Sequence, residues 1–390
     1  MKGWESKALG DVCEILDSRR RPVTKKDRHV GEYPYYGATG IVDYVDEFIF
    51  DEPLVLVGED GAKWGSGEGT AFSVSGRCWV NNHAHVLRPI RTRLLDAWLV
   101  YYLVHEDLSP FVSGLTVPKL NQGNLREIPV PLPPVAEQRR IVAILDEAFE
   151  AIGTAKANTE KNLRNARELF ELQLATALRR GGEDWVEMSI GEACTLRSGT
   201  TVPVEIERAA GDVPYVKVAE MTMPANRDGV TTSIRFLDRR DIKQSWVIPA
   251  GAVIFPKRGG AILTNKKRPV LVDICADLNI MAVIPSDKLT AEFLYLYFLT
   301  VDMRKLGTGS SIPQINNYDI APLRISFPAS RATQAEVAEA LRAAESECQA
   351  LATLYERKLA ALDELKKSLL HQAFTGALTA KSTDQQEAVA

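Results

Sequence analysis

At 390 residues the chain exceeds one ordinary hydrophobic core and suits two domains plus an extended element. Its 45% hydrophobic and 25% charged residues exclude a disordered or fibrous protein. A net charge of −4 lends no support to a nucleic-acid partner, although affinity depends on where Lys and Arg sit more than on their sum.

The N-terminal stretch M-K-G-W-E-S-K-A-L-G-D-V-C-E-I-L lacks the apolar core of a signal peptide, and the most apolar runs, Trp98 to Val104 and Phe293 to Leu299, are too short for a bilayer span. A cytoplasmic protein without membrane contact is expected. Five cysteines, odd in number and without a C-x-x-C pair, read as small buried apolar residues and not as disulfides or zinc ligands.

After the basic cluster Arg19-Arg20-Arg21 and Lys25-Lys26, Pro53 to Val57 forms a short apolar run that predicts a buried strand. A short helix is predicted over Asp96 to Val104. The prolines of I-P-V-P-L-P-P then stop a strand and set up a helix start. That helix, about Glu137 to Leu178, is apolar at both ends but polar from Gly153 to Asn162, where its pairing should be loose or bent.

From Trp185 the chain repeats itself. W-E-S-K-A-L-G-D-V-C at Trp4 aligns with W-V-E-M-S-I-G-E-A-C at Trp185, and Pro34-Tyr35 with Pro214-Tyr215. Cys78, Asn82 and Val86 align with Cys275, Asn279 and Val283, and G-L-T-V-P-K-L-N-Q-G-N-L at Gly114 with G-S-S-I-P-Q-I-N-N-Y-D-I at Gly309. The second repeat has its own buried run, Ala252 to Phe255, its own short helix, Ala291 to Leu299, and the exit L-R-I-S-F-P. A 4-3 apolar spacing then runs through Val337, Leu341, Ala344, Cys348, Leu351, Tyr355, Leu362, Leu365 and Leu369, the seam of a coiled coil.

These elements predict an α+β fold. Two tandem α/β domains, 1–134 and 183–329, are separated and followed by long helices, 135–182 and 330–380, with 381–390 a disordered tail. Neither helix buries its stripe alone, so the two are expected to pair as an antiparallel coiled coil with pseudo-two-fold symmetry. A strut of about 60 Å, at 1.5 Å per residue, would hold related readers apart as dyad-symmetric DNA-binding proteins do.

The duplication, the paired helices, Pro34 to Gly40 (P-Y-Y-G-A-T-G), Phe255 to Ala261 with Thr264-Asn265-Lys266, P-P-V-A-E-Q-R-R-I at Pro133, and the closing L-L-H-Q-A-F-T-G-A-L together resemble the specificity subunit of type I restriction-modification systems over nearly the whole chain. The resemblance implies two target recognition domains, each reading part of a bipartite site in double-stranded DNA. It also implies a helical spacer, docking surfaces for two methyltransferase subunits, and restriction subunits that join this core. S-adenosylmethionine and ATP are then expected on those partners and no cofactor on this chain, which carries neither a G-x-x-x-x-G-K-[ST] loop nor an Asn- or Asp-Pro-Pro-aromatic tetrapeptide. Partners could also supply part of the cationic surface that the acidic chain lacks.

Candidate DNA contacts in the first repeat are Arg19, Arg20, Arg21, Lys25, Tyr36, Gly37, Lys63, Trp64, Asn82, His83 and Lys119. In the second they are Thr200, Lys217, Lys257, Arg258, Gly259, Lys266 and Gln314. Glycine lets a backbone approach a phosphate, and Lys or Arg pairs with phosphate or with guanine. Lys119 and Gln314 differ where sequence preference would need to differ. His83 and His85 share a strand face near Cys78, but no third ligand converges and the second repeat has Ile280 and Ala282 there, so no metal is expected. A coiled-coil scaffold whose domains bind protein, or an enzyme with an unrecognised site, are the alternatives.

Overall fold

The computed structural model describes residues 3–114, 116–306 and 313–379. The tail expected at 381–390, and Gly309 to Ile312 of the second matched loop, lie outside the described residues. The chain divides into two compact units, Met1–Lys161 with Glu356–Ala390, and Asn162–Tyr355.

In the first unit a four-stranded antiparallel sheet orders Cys13–Ile15, Ala84–Pro89, Leu54–Gly58 and Ala71–Val74. A second sheet orders Gly40–Val45, Val30–Gly37, Arg77–Val80 and Phe50–Asp51, with Val30–Gly37 and Arg77–Val80 parallel. Glu5–Ala8 and Pro129–Leu132 close the domain as an antiparallel pair. All five residues of Leu54–Gly58 are buried, which is why that run is continuously apolar where an exposed strand would alternate.

The second unit repeats this order strand for strand. Cys194–Ser198, Ile280–Pro285, Val253–Pro256 and Arg268–Pro269 make one sheet; Phe236–Leu237, Val213–Val216, Ile274–Ala276 and Val247–Ile248 make the other, again with its middle pair parallel. Trp185–Ser189 pairs with Arg324–Pro328. The aligned cysteines face equivalent edge strands, Cys78 opposite Phe50 and Cys275 opposite Val247. All five cysteines are buried and free, and burial pushes the Cys13 and Cys194 thiols up to about 12.

The short helices, Asp96–His105 and Ala291–Thr300, each cover a sheet with aromatic side chains. The duplicated tryptophans pack on them: Trp4 lies edge-on to Trp98 and Trp185 edge-on to Phe293. The long helices are Val135–Arg180 and Arg331–Thr375. Each begins with a fully buried glutamine. Gln138 accepts from Leu95 N–H at 3.0 Å and donates to the carbonyls of Arg93 and Pro133 at 2.7 and 2.9 Å. Gln334 accepts from Thr290 N–H at 2.7 Å and donates to those of Lys288 and Pro328, both at 2.8 Å.

Within each unit the helix segments run antiparallel. In the first, Ile141 and Leu145 share a core with Leu370, Ala373 and Phe374, while further along Lys156 pairs with Asp363 at 2.5 Å. In the second, Leu174 packs with Ala338 and Leu341, and Ala166 lies near Cys348 and Ala352. The polar stretch 153–162 does not interrupt the helix: Thr159 is buried and its hydroxyl donates to the Ala155 carbonyl at 2.7 Å, so the seam passes Ile152, Thr159 and Ala166.

The expected seam of the second helix is partly displaced. Leu351 and Leu365 are 40% and 47% exposed, whereas Ala352, Leu370 and Ala373 are buried. A strict heptad drifts about 20° per repeat on a straight helix. Here the far end of the helix also turns its buried face to Trp98 and Tyr102 of the domain, where Phe374 packs.

Candidate nucleic-acid interface

The matched loops T-V-P-K-L-N and S-I-P-Q-I-N separate into frame and variable side chain. Leu120 and Ile315 are fully buried, and the shared asparagines cap short helices: Asn121 Oδ1 accepts from Asn124 N–H at 2.8 Å, and Asn316 forms a reciprocal capping box with Asp319. Each loop then bridges the turn that follows the central buried strand. Leu120 N–H donates to Glu59 O at 2.9 Å with Asp60 opposite Lys119; Ile315 N–H donates to Lys257 O at 2.8 Å with Arg258 opposite Gln314. The same backbone frame therefore presents Glu59-Asp60 against Lys119 in one unit and Lys257-Arg258 against Gln314 in the other.

In the second unit this turn is cationic. Arg258 is exposed and has no ion-pair partner among the described residues; Gly259, at φ +70°, starts the following turn and donates its N–H to Pro313 O at 2.8 Å. The positive φ is a conformation that glycine adopts without a Cβ clash. Lys257 Nζ donates to Ser198 Oγ at 2.8 Å, and burial, followed by the Arg258 charge, lowers its pKa. Lys266 is half-buried and also lacks an ion-pair partner among the described residues. Thr200 is held on the sheet by its N–H to Ala276 O at 2.8 Å and accepts from the Tyr215 hydroxyl at 3.1 Å. Lys217 lies over the Tyr215 ring and pairs with Glu207 at 3.1 Å, which compensates its charge.

In the first unit the basic side chains at the same place are met by acids. Lys119 Nζ lies 2.8 Å from Glu59 and His83 Nδ1 2.5 Å from Asp60. Asn82 is exposed beside His83. Arg21, Lys25 and Lys63 are exposed, and Lys63 has only a loose approach to Glu68 at 3.9 Å. Tyr36 is half-buried against Phe72, and Gly37 is buried at the end of its strand.

Besides the ion-paired Lys119 and Lys217, the candidates Trp64, Arg20 and Arg19 are packing or ion-pair residues. Trp64 is a core residue whose indole N–H donates to Gly58 O at 3.0 Å. Arg20 is largely buried, bound to Asp17, Glu59 and the Ala84 carbonyl. Arg19 lies over the Phe50 ring and donates to Ile49 O at 3.0 Å. Lys267, in the K-K-R run, is likewise buried; burial lowers its pKa to about 8.

Beneath this face lies a buried polar cluster whose full membership sequence reading missed. Asp17, Glu59 and His85 place ligand-type atoms within 4.8 Å of one another. Protein donors already occupy them. Asp17 accepts from His85, Val86 N–H at 2.9 Å and Gln122 at 3.0 Å, while Glu59 takes Arg20 and Lys119. Burial raises both carboxyls, but the hydrogen bonds and cations outweigh it and hold both below the ordinary carboxylate range. A metal ion would have to displace two cationic side chains. The partners of His85 come from residues 17 and 59, far away in sequence; the only local sign was the His-x-His alternation.

One α/β frame built twice, with different polar side chains at the same turn and each copy anchored to long helices, defines a duplicated recognition protein. The family model described as the type I restriction modification DNA specificity domain matches residues 1–163 and 182–357. The chain belongs to that family, and specifying a DNA target is its function. Among its relatives, S.HindORF215P of Haemophilus influenzae, provisionally designated a type I restriction enzyme specificity subunit, is 27% identical over 83% of each chain. The EcoDI specificity subunit of Escherichia coli is 21% identical over 97% of this chain and 89% of its own. The crystal structure of the HsdS subunit from Thermoanaerobacter tengcongensis shares the fold with a TM-score of 0.61 at 18% identity, covering 97% of this chain and 98% of that one. A chain from a structural study of type I R-M complex assembly reaches 0.73 at 18% identity, covering 97% and 99%. No described helix is long and apolar enough to cross a membrane.

Proposed function

We propose that the chain is the non-catalytic subunit that gives a type I restriction-modification complex its DNA target in the cytoplasm. Each α/β unit reads one half of a bipartite double-stranded site. The long helices set the gap between the halves and dock two methyltransferase subunits, to which restriction subunits add. S-adenosylmethionine and ATP belong to those partners.

The observation that carries this reading is the repeated turn: the same backbone bond and bridge with Glu59-Asp60 and Lys119 in one copy, Lys257-Arg258 and Gln314 in the other. A frame that holds position while its polar groups change suits two different base sequences, because base edges are told apart by their donor and acceptor patterns. Arg21, Lys25, Lys63, Asn82, Arg258, Lys266 and Gln314 are the contacts best placed to act. The helices also leave apolar surface open: Leu172 and Leu354 are 65% and 57% exposed, and Leu172, Ala177, Val337 and Leu341 line one groove. Surface of that kind supports subunit docking.

Co-expression with the cognate methyltransferase, followed by genome-wide mapping of modified adenines, tests the reading. One split motif with a fixed gap is expected, and no modification by the chain alone. Modification at an undivided motif would sink it.

A further inference from the structure

His85 is fully buried in a strand, yet both of its ring nitrogens face acceptors. Nε2 lies 2.7 Å from the Leu120 carbonyl oxygen, which can only accept, so Nε2 carries a proton. Nδ1 lies 2.6 Å from Asp17 Oδ2. That oxygen also accepts from Gln122 at 3.0 Å and lies 3.4 Å from Arg20, and Oδ1 of Asp17 accepts from Val86 N–H at 2.9 Å; with N–H donors on both oxygens the carboxylate acts as an acceptor and Nδ1 carries the second proton.

The three groups around this ring come from three different loops. Asp17 begins the turn that leads to Arg19, Arg20 and Arg21. Leu120 adjoins Lys119. Glu59, whose Oε2 is 3.8 Å from Nδ1, belongs to the turn carrying Asp60 and Lys63. Arg20 and Lys119 both reach back to Glu59 and join the same knot. In strand register the second repeat has Met281 at this place, opposite Phe255 as His85 is opposite Val57; it is fully buried and carries no titratable group.

We propose that His85, protonated on both ring nitrogens, is the positioning residue that fixes the recognition loops of the first unit, and that the second unit has no counterpart. The proposal rests on the reading of one half-site per unit. A buried cation with two directional N–H groups orients both acceptors at once, which a neutral ring with a single N–H cannot do. Loss of the pin therefore blurs one half of the target and leaves the other sharp. A residue that merely supported overall stability would weaken both halves together.

Two measurements test this. Ring 15N spectra of the histidine-labelled wild-type chain, with His85 assigned by its loss in H85Q, should show two protonated nitrogens at neutral pH; one bare nitrogen overturns the proposal. The methyltransferase complex carrying H85Q is then compared with wild type on DNA substituted base by base in each half-site. Discrimination should fall about tenfold or more, the scale of one lost bidentate base contact, in one half only. If Arg258 reads a base, R258A should relax the opposite half and so identify it. D17N, which keeps the shape but removes the anion, should reproduce the H85Q pattern if H85Q itself folds poorly. Equal loss in both halves, or no loss in either, overturns the proposal. A wild-type complex that reads no split target refutes the half-site reading instead, and the ring spectrum still decides the protonation claim by itself.

Discussion

Replacing Gln334 with leucine removes a side chain that serves three backbone groups at the foot of the second long helix. Thr290 N–H and the Pro328 carbonyl lose a buried hydrogen bond, and the Lys288 carbonyl a partly buried one. An orphaned buried group costs about 1–3 kcal/mol, so the three together cost roughly 3–7 kcal/mol. Leucine returns about 1.5–3 kcal/mol by burying an apolar side chain of similar size. A net loss of about 2–4 kcal/mol is expected, a large share of the 5–15 kcal/mol typical of a folded domain. Because a protein of two units need not unfold in one step, native-state hydrogen exchange is the proper assay. The Thr290 amide should lose protection by about 30-fold or more, since 1.4 kcal/mol is a factor of ten. Unchanged protection with less than about 0.5 kcal/mol of destabilisation would refute the reasoning. Q138L should act in the same sense on the Leu95 amide of the first unit, but less, because two of its three bonds are only partly buried.

Other outcomes follow from the same contacts. R258A should lower the salt slope of DNA binding by about one unit if the guanidinium meets a phosphate, or relax one base position by about 1–3 kcal/mol if it reads a base; titrations at several salt concentrations separate the two, and no change removes Arg258 from the interface. W64F, which loses the bond to Gly58 and leaves a cavity where the larger indole packs, should cost about 2–3 kcal/mol in denaturant unfolding and leave the methylation target intact. Asp17 and Glu59 are held below their ordinary values when folded, so the stability they contribute is present above about pH 4 and is lost as pH falls through the lowered values; E59Q should flatten that acid limb. Lys267 gives a slope of the same sign in a higher window. With its pKa lowered from 10.5 to about 8, the folded state binds fewer protons between those values, so stability rises with pH across that interval, and K267M should abolish the rise.

Local pattern made much of the architecture legible. The continuous apolar runs became the central strands Leu54–Gly58 and Val253–Pro256, and the repeat alignment became two sheets of one order. Long-range pairing was less accessible. Nothing near Arg20 in the chain announces that Glu59 and the Ala84 carbonyl will hold it, so a run of three arginines read as one basic patch although its members have different partners. Trp64 reads as a candidate DNA contact in its glycine-rich run, yet it lies in the core with its indole N–H on Gly58 O, a partner six residues back that composition does not announce. The coiled-coil seam failed at Leu351 and Leu365 because periodicity within one helix does not say what packs against each end.

The composition of the first unit from two separated stretches, Met1–Lys161 and Glu356–Ala390, has a consequence for biosynthesis. Trp98 and Tyr102 leave the ribosome early, but their aromatic neighbour Phe374 follows only after the whole of the second unit has been translated. The half made first is thus completed last, and during elongation it exposes an apolar socket that its own helix end later fills. Nascent chains stalled once residue 355 has emerged should accordingly hold a complete second unit beside an unfinished first one, the intermediate on which a chaperone would act.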